Sequence, residues 1–175
     1  MTRRSMTESP ATVQIRDIVP ADAAVISGIG IRSKAHWGYT PEQMQVFREE
    51  LTHSEDDLHH KSGEIAETGG AAVGFYLLHT IDAATIELEC LFIEPTALKS
   101  GYGSTLFRRA VERARELGFP RMTIQSDPFA AGFYERHHAR KLRDIPSSIP
   151  GRTIPFFEYD LVAHPLGAGS ANSHD

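Results

Sequence analysis

Leu98-Lys-Ser-Gly-Tyr-Gly-Ser104 lies between an apolar strand-like run and a long amphipathic segment, and its reading decides the fold. Gly101 and Gly103 lack Cβ atoms, so the backbone there turns tightly and lets a ligand approach closely. The free N–H groups of the following helix's first turn point outward, and the helix dipole adds partial positive charge. A pyrophosphate suits such a place, with Lys99 and Arg108 as candidate countercharges. On its own, G-x-G before a helix also reads as a plain strand-to-helix turn. No Gly-Lys-Ser/Thr follows four residues after a glycine, so the Walker A spacing is absent. Leu106 stands where a dinucleotide fingerprint wants a third glycine. A nucleotide-binding P-loop protein is therefore disfavoured.

Working outward, Leu106, Phe107, Ala110, Ala114 and Leu117 form the buried stripe of a helix over about 101–117. Arg108, Glu112, Arg113 and Glu116 face outward, Gly118 closes the helix and Pro120 stops it. Beyond it, 121–126 reads as a strand, 128–137 as a helix, and 140–145 and 156–161 as two last strands. Upstream, 12–16 alternates apolar and polar residues as a first strand. Pro20 opens a helix carrying Val25, Ile26 and Ile29, and Pro41 opens a second with Met44, Phe47 and Leu51 on one face. A strand over 62–67, a turn at Thr68-Gly69-Gly70, its partner over 71–79, a turn near Asp82 and a strand over 85–93 make a meander. The expected fold is α/β (α+β): a mixed, mostly antiparallel central sheet of about seven strands flanked by helices.

The chain has 175 residues, 41% hydrophobic and 23% charged, which suits one domain with a sizeable core. Net charge is −5, which argues against a nucleic-acid partner. Cys90 is the only cysteine, so no internal disulfide forms and a reducing compartment is expected. The first ten residues lack an apolar signal core, and the longest apolar stretch, 71–81, is about half the ~20 residues of a membrane span. A cytoplasmic protein without a membrane partner is expected. Residues 1–10 and 164–175 read as flexible ends around a domain over 11–163.

Three stretches then stand together: Leu91-Phe-Ile-Glu-Pro95, Leu98-Lys-Ser-Gly-Tyr-Gly103, and Asp127-Pro-Phe-Ala-Ala-Gly-Phe-Tyr-Glu-Arg-His-His-Ala139. Their order and spacing resemble the GNAT superfamily of N-acetyltransferases. Its hallmark is Arg/Gln-x-x-Gly-x-Gly/Ala after a strand ending near Pro, then Asn/Asp-x-x-Ala-x-x-Phe-Tyr about thirty residues later. Leu98 occupies the usual Arg/Gln position, Phe129 stands where some relatives carry Asn, and His138 replaces the usual Gly. The resemblance implies an acetyl-CoA-dependent N-acetyltransferase acting on a small-molecule or peptide amine in a ternary complex. A catalytically silent acyl-CoA-binding or regulatory module on the same fold is the alternative, and a homodimer is compatible with the family.

The resemblance also implies site residues. Leu91, Phe92 and Ile93 belong to a strand that splays from its neighbour and offers backbone groups to the coenzyme's pantetheine arm. Leu98, Lys99, Ser100, Gly101, Tyr102, Gly103 and Ser104 belong to the phosphate loop, and Asp127 opens the second motif on the coenzyme side. Tyr134 matches the general acid. A phenol has a pKa of about 10 and a thiol about 8.5, so a hydrogen bond to the departing sulfur is a safer role than full proton transfer. Glu87 lies eleven residues before position 98, where relatives carry a base. At a spacing of two, Glu89 shares its strand face, and the sequence does not separate them. His36, Trp37 and Tyr39, with Ser33 and Lys34 beside them, lie in the segment that overhangs the acceptor in relatives. Trp37 there is a candidate to stack on a cationic acceptor, although a hydrophobic plug fits equally well. His59-His60 and His137-His138 lack ligand spacing, so no metal site is expected. Cys90 reads as a buried small hydrophobe.

Overall fold

The computed structural model describes residues 12–163; the expected flexible ends, 1–10 and 164–175, lie outside the described residues. Strand β1 (Gln14–Asp17) leads through a 3-10 turn at Pro20–Asp22 into α1 (Ala23–Ala35). Thr40 caps α2 (Pro41–Leu51) by accepting from the Gln43 N–H at 3.2 Å, with Pro41 in the first turn. A one-turn helix, α3 (Glu55–Leu58), follows, capped the same way by Ser54 on Asp57 N–H at 3.1 Å. The meander is β2 (Ser62–Thr68), β3 (Ala71–Thr80) and β4 (Thr85–Ile93). Gly69 and Gly70 join β2 to β3 at φ +57° and +79°, the two positive values that a two-residue hairpin loop demands. A 3-10 turn at Pro95–Ala97 precedes α4 (Tyr102–Glu116). The remainder is β5 (Arg121–Gln125), a 3-10 turn at Pro128–Ala130, α5 (Ala131–Arg136), β6 (Arg140–Pro146) and β7 (Thr153–Asp160).

All seven strands form one sheet in the order β1-β2-β3-β4-β5-β7-β6. Every pairing is antiparallel except β4 with β5, which α4 connects as a crossover. That parallel pair is short, with partners from Thr85↔Arg121 to Glu87↔Thr123. Beyond Glu87 the two strands separate, and the β5-facing edge of β4 has no strand partner. Helices cover both faces. Leu106, Phe107, Ala110, Val111 and Ala114 of α4 pack with Tyr76, Leu88, Ile124 and Phe157 on one side. Ile26 and Ile29 of α1 pack with Ile65, Phe75, Leu77 and Cys90 on the other. Among the described residues no helix is long and apolar enough to cross a membrane.

Several sequence expectations shift. Leu117 is half exposed because the helix ends at Glu116, and Val111 completes the buried stripe instead. Val25 is likewise exposed, one step off the face that carries Ile26 and Ile29. The helix expected over 128–137 divides into a 3-10 turn and α5. Arg113 does not simply face outward: its guanidinium reaches Asp17 at 2.6 Å and Glu64 at 3.5 Å. The nearly buried Glu64 also accepts from Arg109 Nε at 2.7 Å and from the Tyr76 hydroxyl at 2.9 Å. This network fastens α4 to β2 and so fixes where the head of α4 points.

Candidate active site

Gly101 begins the site at φ +83°, a left-handed conformation that a Cβ would penalise. It is the N-cap of α4, and no side chain caps the helix. The Thr105 N–H closes the first helical bond to Gly101 O at 3.1 Å, so the amides of Tyr102, Gly103 and Ser104 precede the helical ladder. A Cβ built on Gly103 would lie 3.4 Å from Phe133 Cε2 and 3.9 Å from Ile93 Cγ1, in the gap between α5 and β4. Lys99 adopts φ +62° and His138 φ +69°. His138 thus holds the left-handed conformation at a position where the family usually has glycine.

The helix head opens onto a cleft of about 760 Å³ that runs along the unpaired edge of β4. From the phosphate loop, Leu98, Lys99, Gly101, Tyr102, Gly103 and Ser104 line it. Leu91, Phe92 and Ile93 form its wall, and Glu87, Glu89, Tyr134, Asp127 and Trp37 also line it. Ser100 and Arg108 are not in the lining, since both side chains are on the outer surface. His36 and Tyr39 are not in it either. His36 is exposed and packs edge-on against Trp37, and the Tyr39 hydroxyl turns away to donate to Asp127 Oδ2 at 2.7 Å. The pyrophosphate of a coenzyme A fits the helix head: three amides lead into a cavity, and two glycine positions leave room for close approach.

The two acidic residues on β4 differ in surroundings. The register between β3 and β4 passes from Leu77↔Cys90 to Leu78↔Leu88, so Glu89 is the extra residue of a β-bulge. The simple alternation expected from a spacing of two is broken there. Ile86 and Leu88 pack toward α4, whereas Cys90 packs toward α1. Both carboxylates still reach the cleft, but Glu89 is tied to Lys61 Nζ at 2.8 Å. Glu87 has no such ion pair and accepts from Gln125 Nε2 at 3.2 Å. Burial, and then the neighbouring Glu89 charge, push its pKa above the ordinary carboxylate value.

Tyr134 is buried and packs against Phe107, Phe133 and Phe157 while still lining the cleft. Burial pushes its phenol pKa well up, with Cys90 and Asp127 adding to the effect. The Cys90 thiol is pushed up too, chiefly by burial, and sits 3.8 Å from His53 Nε2. A thiol held protonated in this way is a poor nucleophile.

Asp127, expected on the coenzyme side, has its carboxylate taken up by Lys34, Tyr39 and Arg152 instead and is the hub of the far end of the cleft. It accepts from Lys34 Nζ at 2.7 Å, from the Tyr39 hydroxyl, and from the Phe129 N–H at 3.0 Å. Burial alone would raise its pKa, but the Lys34 hydrogen bond and charge outweigh it, so the carboxyl is held below its usual range. The Tyr39 phenol is pushed up to about 12, first by burial and then by Asp127. Arg152 donates to the Tyr39 oxygen at 2.7 Å and stands 3.6 Å from Asp127. Trp37 and Phe129 stack face to face, 5.2 Å between centroids and 7° between planes. Arg152 and Gln125 also line this end; Arg152 belongs to the closing 149–155 segment that is part of the family resemblance, although nothing there singled it out, and no motif pointed to Gln125. The one available signal was Arg152's position inside a proline-flanked turn. Among the described residues no group of three or more His, Cys, Asp or Glu side chains is placed to hold a metal ion.

A split sheet with a glycine-turned helix head at its seam defines the N-acetyltransferase fold class. Residues 30–139 match the acetyltransferase (GNAT) family, and the chain belongs to it. It is thereby an acyltransferase. Solved structures share the fold. A GCN5-related N-acetyltransferase from Rhodopseudomonas palustris is 22% identical at a TM-score of 0.71, covering 87% of this chain and 98% of that one. The PaiA N-acetyltransferase of Thermoplasma acidophilum, in complex with coenzyme A, is 18% identical at 0.70, with 85% and 99% covered. YncA of Salmonella typhimurium, with its cofactor acetyl-CoA, is 19% identical at 0.64, with 90% and 98% covered. No curated protein sequence matches this chain.

Proposed function

We propose that the protein transfers an acetyl group from acetyl-CoA to the primary amine of a small molecule or peptide, by direct attack within a ternary complex. The observation that carries this reading is the continuous cleft joining the α4 head, the unpaired edge of β4, Tyr134 and Glu87. The coenzyme supplies the activated acetyl group as a thioester. The amides of Tyr102, Gly103 and Ser104 hold its pyrophosphate, with Lys99 as countercharge where Leu98 replaces the family's polar side chain. Backbone groups of Leu91, Phe92 and Ile93 align the pantetheine arm, and one N–H there receives the thioester oxygen as negative charge develops on it.

An amine such as a lysine side chain, with a pKa near 10.4, reaches the site charged and must lose a proton before it attacks. Glu87 takes that proton. Its raised pKa brings it closer to neutrality as a base, and Glu89 is occupied by Lys61. As the new C–N bond forms and the C–S bond breaks, the Tyr134 hydroxyl donates a hydrogen bond to the departing sulfur, and the second proton of the nitrogen ends on that sulfur, which leaves as the free thiol. Its raised pKa keeps the phenol protonated throughout the working range, which suits a hydrogen-bond donor better than a proton source.

The test is thiol release from acetyl-CoA in the presence of an amine panel, alongside thermal stabilisation by the coenzyme. Stabilisation with amine-dependent thiol release supports the enzyme. Stabilisation without release for any amine leaves the silent acyl-CoA-binding module, and absence of both overturns the reading.

A further inference from the structure

The acceptor end of the cleft has two poles. Glu87 and Glu89 line its β4 wall, and the Lys34–Asp127–Arg152 cluster lines the opposite end, beyond β5. Gln125 links them: its amide reaches Glu87, and its backbone continues two residues to Asp127. Two residues of extended chain span about 6–7 Å. The far pole carries two cations against one carboxylate, a surplus of one positive charge. All three side chains are mostly buried, at 12% exposure for Lys34, 17% for Arg152 and 11% for Asp127. A surplus charge so far removed from water favours an anionic partner.

The two cations are not equivalent. Lys34 is committed, with its ammonium 2.7 Å from Asp127 and 4.2 Å from the Phe47 ring centroid. Arg152 also lies over the Tyr39 and Phe47 rings, at 5.2 and 5.5 Å, but its side chain makes one hydrogen bond, to Tyr39, whereas a guanidinium carries five donors in a planar fork suited to a carboxylate. The turn between β6 and β7 holds it inward: Ser147 N–H donates to Arg152 O at 2.8 Å, and Arg152 N–H donates to Ile149 O at 3.1 Å. Beside this pole lies the Trp37–Phe129 stack. Both rings are large and exposed, at 40% and 57%, yet both line the cleft. A paired aromatic surface at a cleft mouth covers an apolar body of matching size.

We propose that the acceptor is an amino-acid-like molecule whose carboxylate sits on Arg152, whose apolar or aromatic body lies on Trp37 and Phe129, and whose amine faces Glu87. The inference rests on the acetyl-transfer reading and deepens it. The ammonium first gives one proton to Glu87; the freed nitrogen then forms its bond to the acetyl carbon as the C–S bond breaks, and its second proton ends on the departing sulfur, which leaves as the free thiol. The arrangement separates charges in the sense that a zwitterion needs.

Calorimetric titration of the full chain with acetyl-CoA comes first, and absence of binding there overturns the acetyl-transfer reading itself. With coenzyme binding in hand, thiol release is compared for phenylalanine, its methyl ester, phenethylamine and alanine, with tyrosine, tryptophan, leucine and methionine completing the panel. We expect kcat/KM for phenylalanine to exceed that for the ester and phenethylamine by 10-fold or more. In Arg152→Gln, the KM for phenylalanine rises by roughly 10- to 100-fold, the range of a charged hydrogen bond, and the preference for the free acid collapses toward unity. Arg152→Lys recovers part of that preference. Unchanged coenzyme affinity and melting temperature report an intact fold in each variant. Trp37→Ala, at an exposed position, raises the KM for phenylalanine but not for alanine. Equal turnover of acid, ester and amine would overturn the proposal, as would turnover of no carboxylate-bearing amine or equal losses for acid and amine in Arg152→Gln.

Discussion

Gly103→Ala separates the stability of the phosphate loop from its function. Gly103 lies in the first turn of α4, where alanine is the better helix former by up to about 1 kcal/mol. Its Cβ would meet Phe133 at 3.4 Å and Ile93 at 3.9 Å, both in the range of ordinary contact, so packing gives little of this back. For a chain of this size 1 kcal/mol moves the melting temperature by about 2–4 °C, and the free variant should melt level with the wild type or slightly above it. The new methyl group nevertheless fills the gap between β4 and α5 at the helix head. A phosphate pushed back from one charged hydrogen bond forfeits about 1.5–3 kcal/mol, a Kd for acetyl-CoA weaker by roughly 10- to 150-fold. Thermal melts and calorimetric titration read the two quantities independently. By contrast, Gly101→Ala meets no neighbour within 4 Å but forces a Cβ into φ +83°, which costs about 1–2 kcal/mol of stability. A Gly103→Ala variant that binds acetyl-CoA within twofold of wild type would refute the placement of the coenzyme.

Glu87→Gln should lower kcat/KM by roughly 10²- to 10³-fold and flatten the acid limb of the pH profile, which in the wild type rises through a midpoint above the ordinary carboxylate value. Because the folded-state pKa of Glu87 is raised, its favourable contribution to stability is present below the unfolded-state value and lost as pH rises through the folded one. The variant should therefore melt no lower than wild type at pH 7, by scanning calorimetry. Tyr134→Phe keeps the ring packed among Phe107, Phe133 and Phe157, so melting and coenzyme affinity should hold while kcat falls roughly 10- to 100-fold in the thiol-release assay. Asp127→Asn leaves Lys34 and Arg152 without their carboxylate and should cost about 2–4 kcal/mol, seen as a drop in denaturation midpoint. As the Asp127 pKa is lowered in the fold, its contribution is present above the unfolded carboxylate value and fades as pH falls, so this loss should shrink in acid.

The sequence announced the fold because its punctuation is chemically explicit. Paired glycines at 69 and 70, Pro41 after Thr40, and Gly118 before Pro120 each leave few backbone choices, and the observed elements begin and end beside them. The one-turn α3 was legible in principle through its Ser54-x-x-Asp57 cap but is too short to show a period. The glycine turn and Tyr134 could be picked out because each belongs to a contiguous motif, and both line the cleft. The bulge at Glu89 was not, since an extra residue in one strand appears only when its partner's register is known. Arg152 and Gln125 escaped for a related reason. Gln125 ends β5 and Arg152 lies in the turn just before β7, and those two strands pair with each other although the two residues are 27 positions apart in the sequence. Tyr39 was expected to face the acceptor, yet the buried Asp127 draws its hydroxyl inward, a tertiary contact that local pattern does not encode.

The single parallel junction of the sheet has a mechanical meaning. Three residue pairs, 85–87 with 121–123, tie a four-stranded ladder to a three-stranded one. Few backbone bonds cross that seam, at about 1 kcal/mol apiece, so the two ladders are held together chiefly by the apolar core that Tyr76 and Leu88 on one side share with Ile124 and Phe157 on the other, under α4. The spine of the molecule is thus sealed by side chains rather than by rungs, and the cleft occupies the stretch where neither strand supplies the other with a partner.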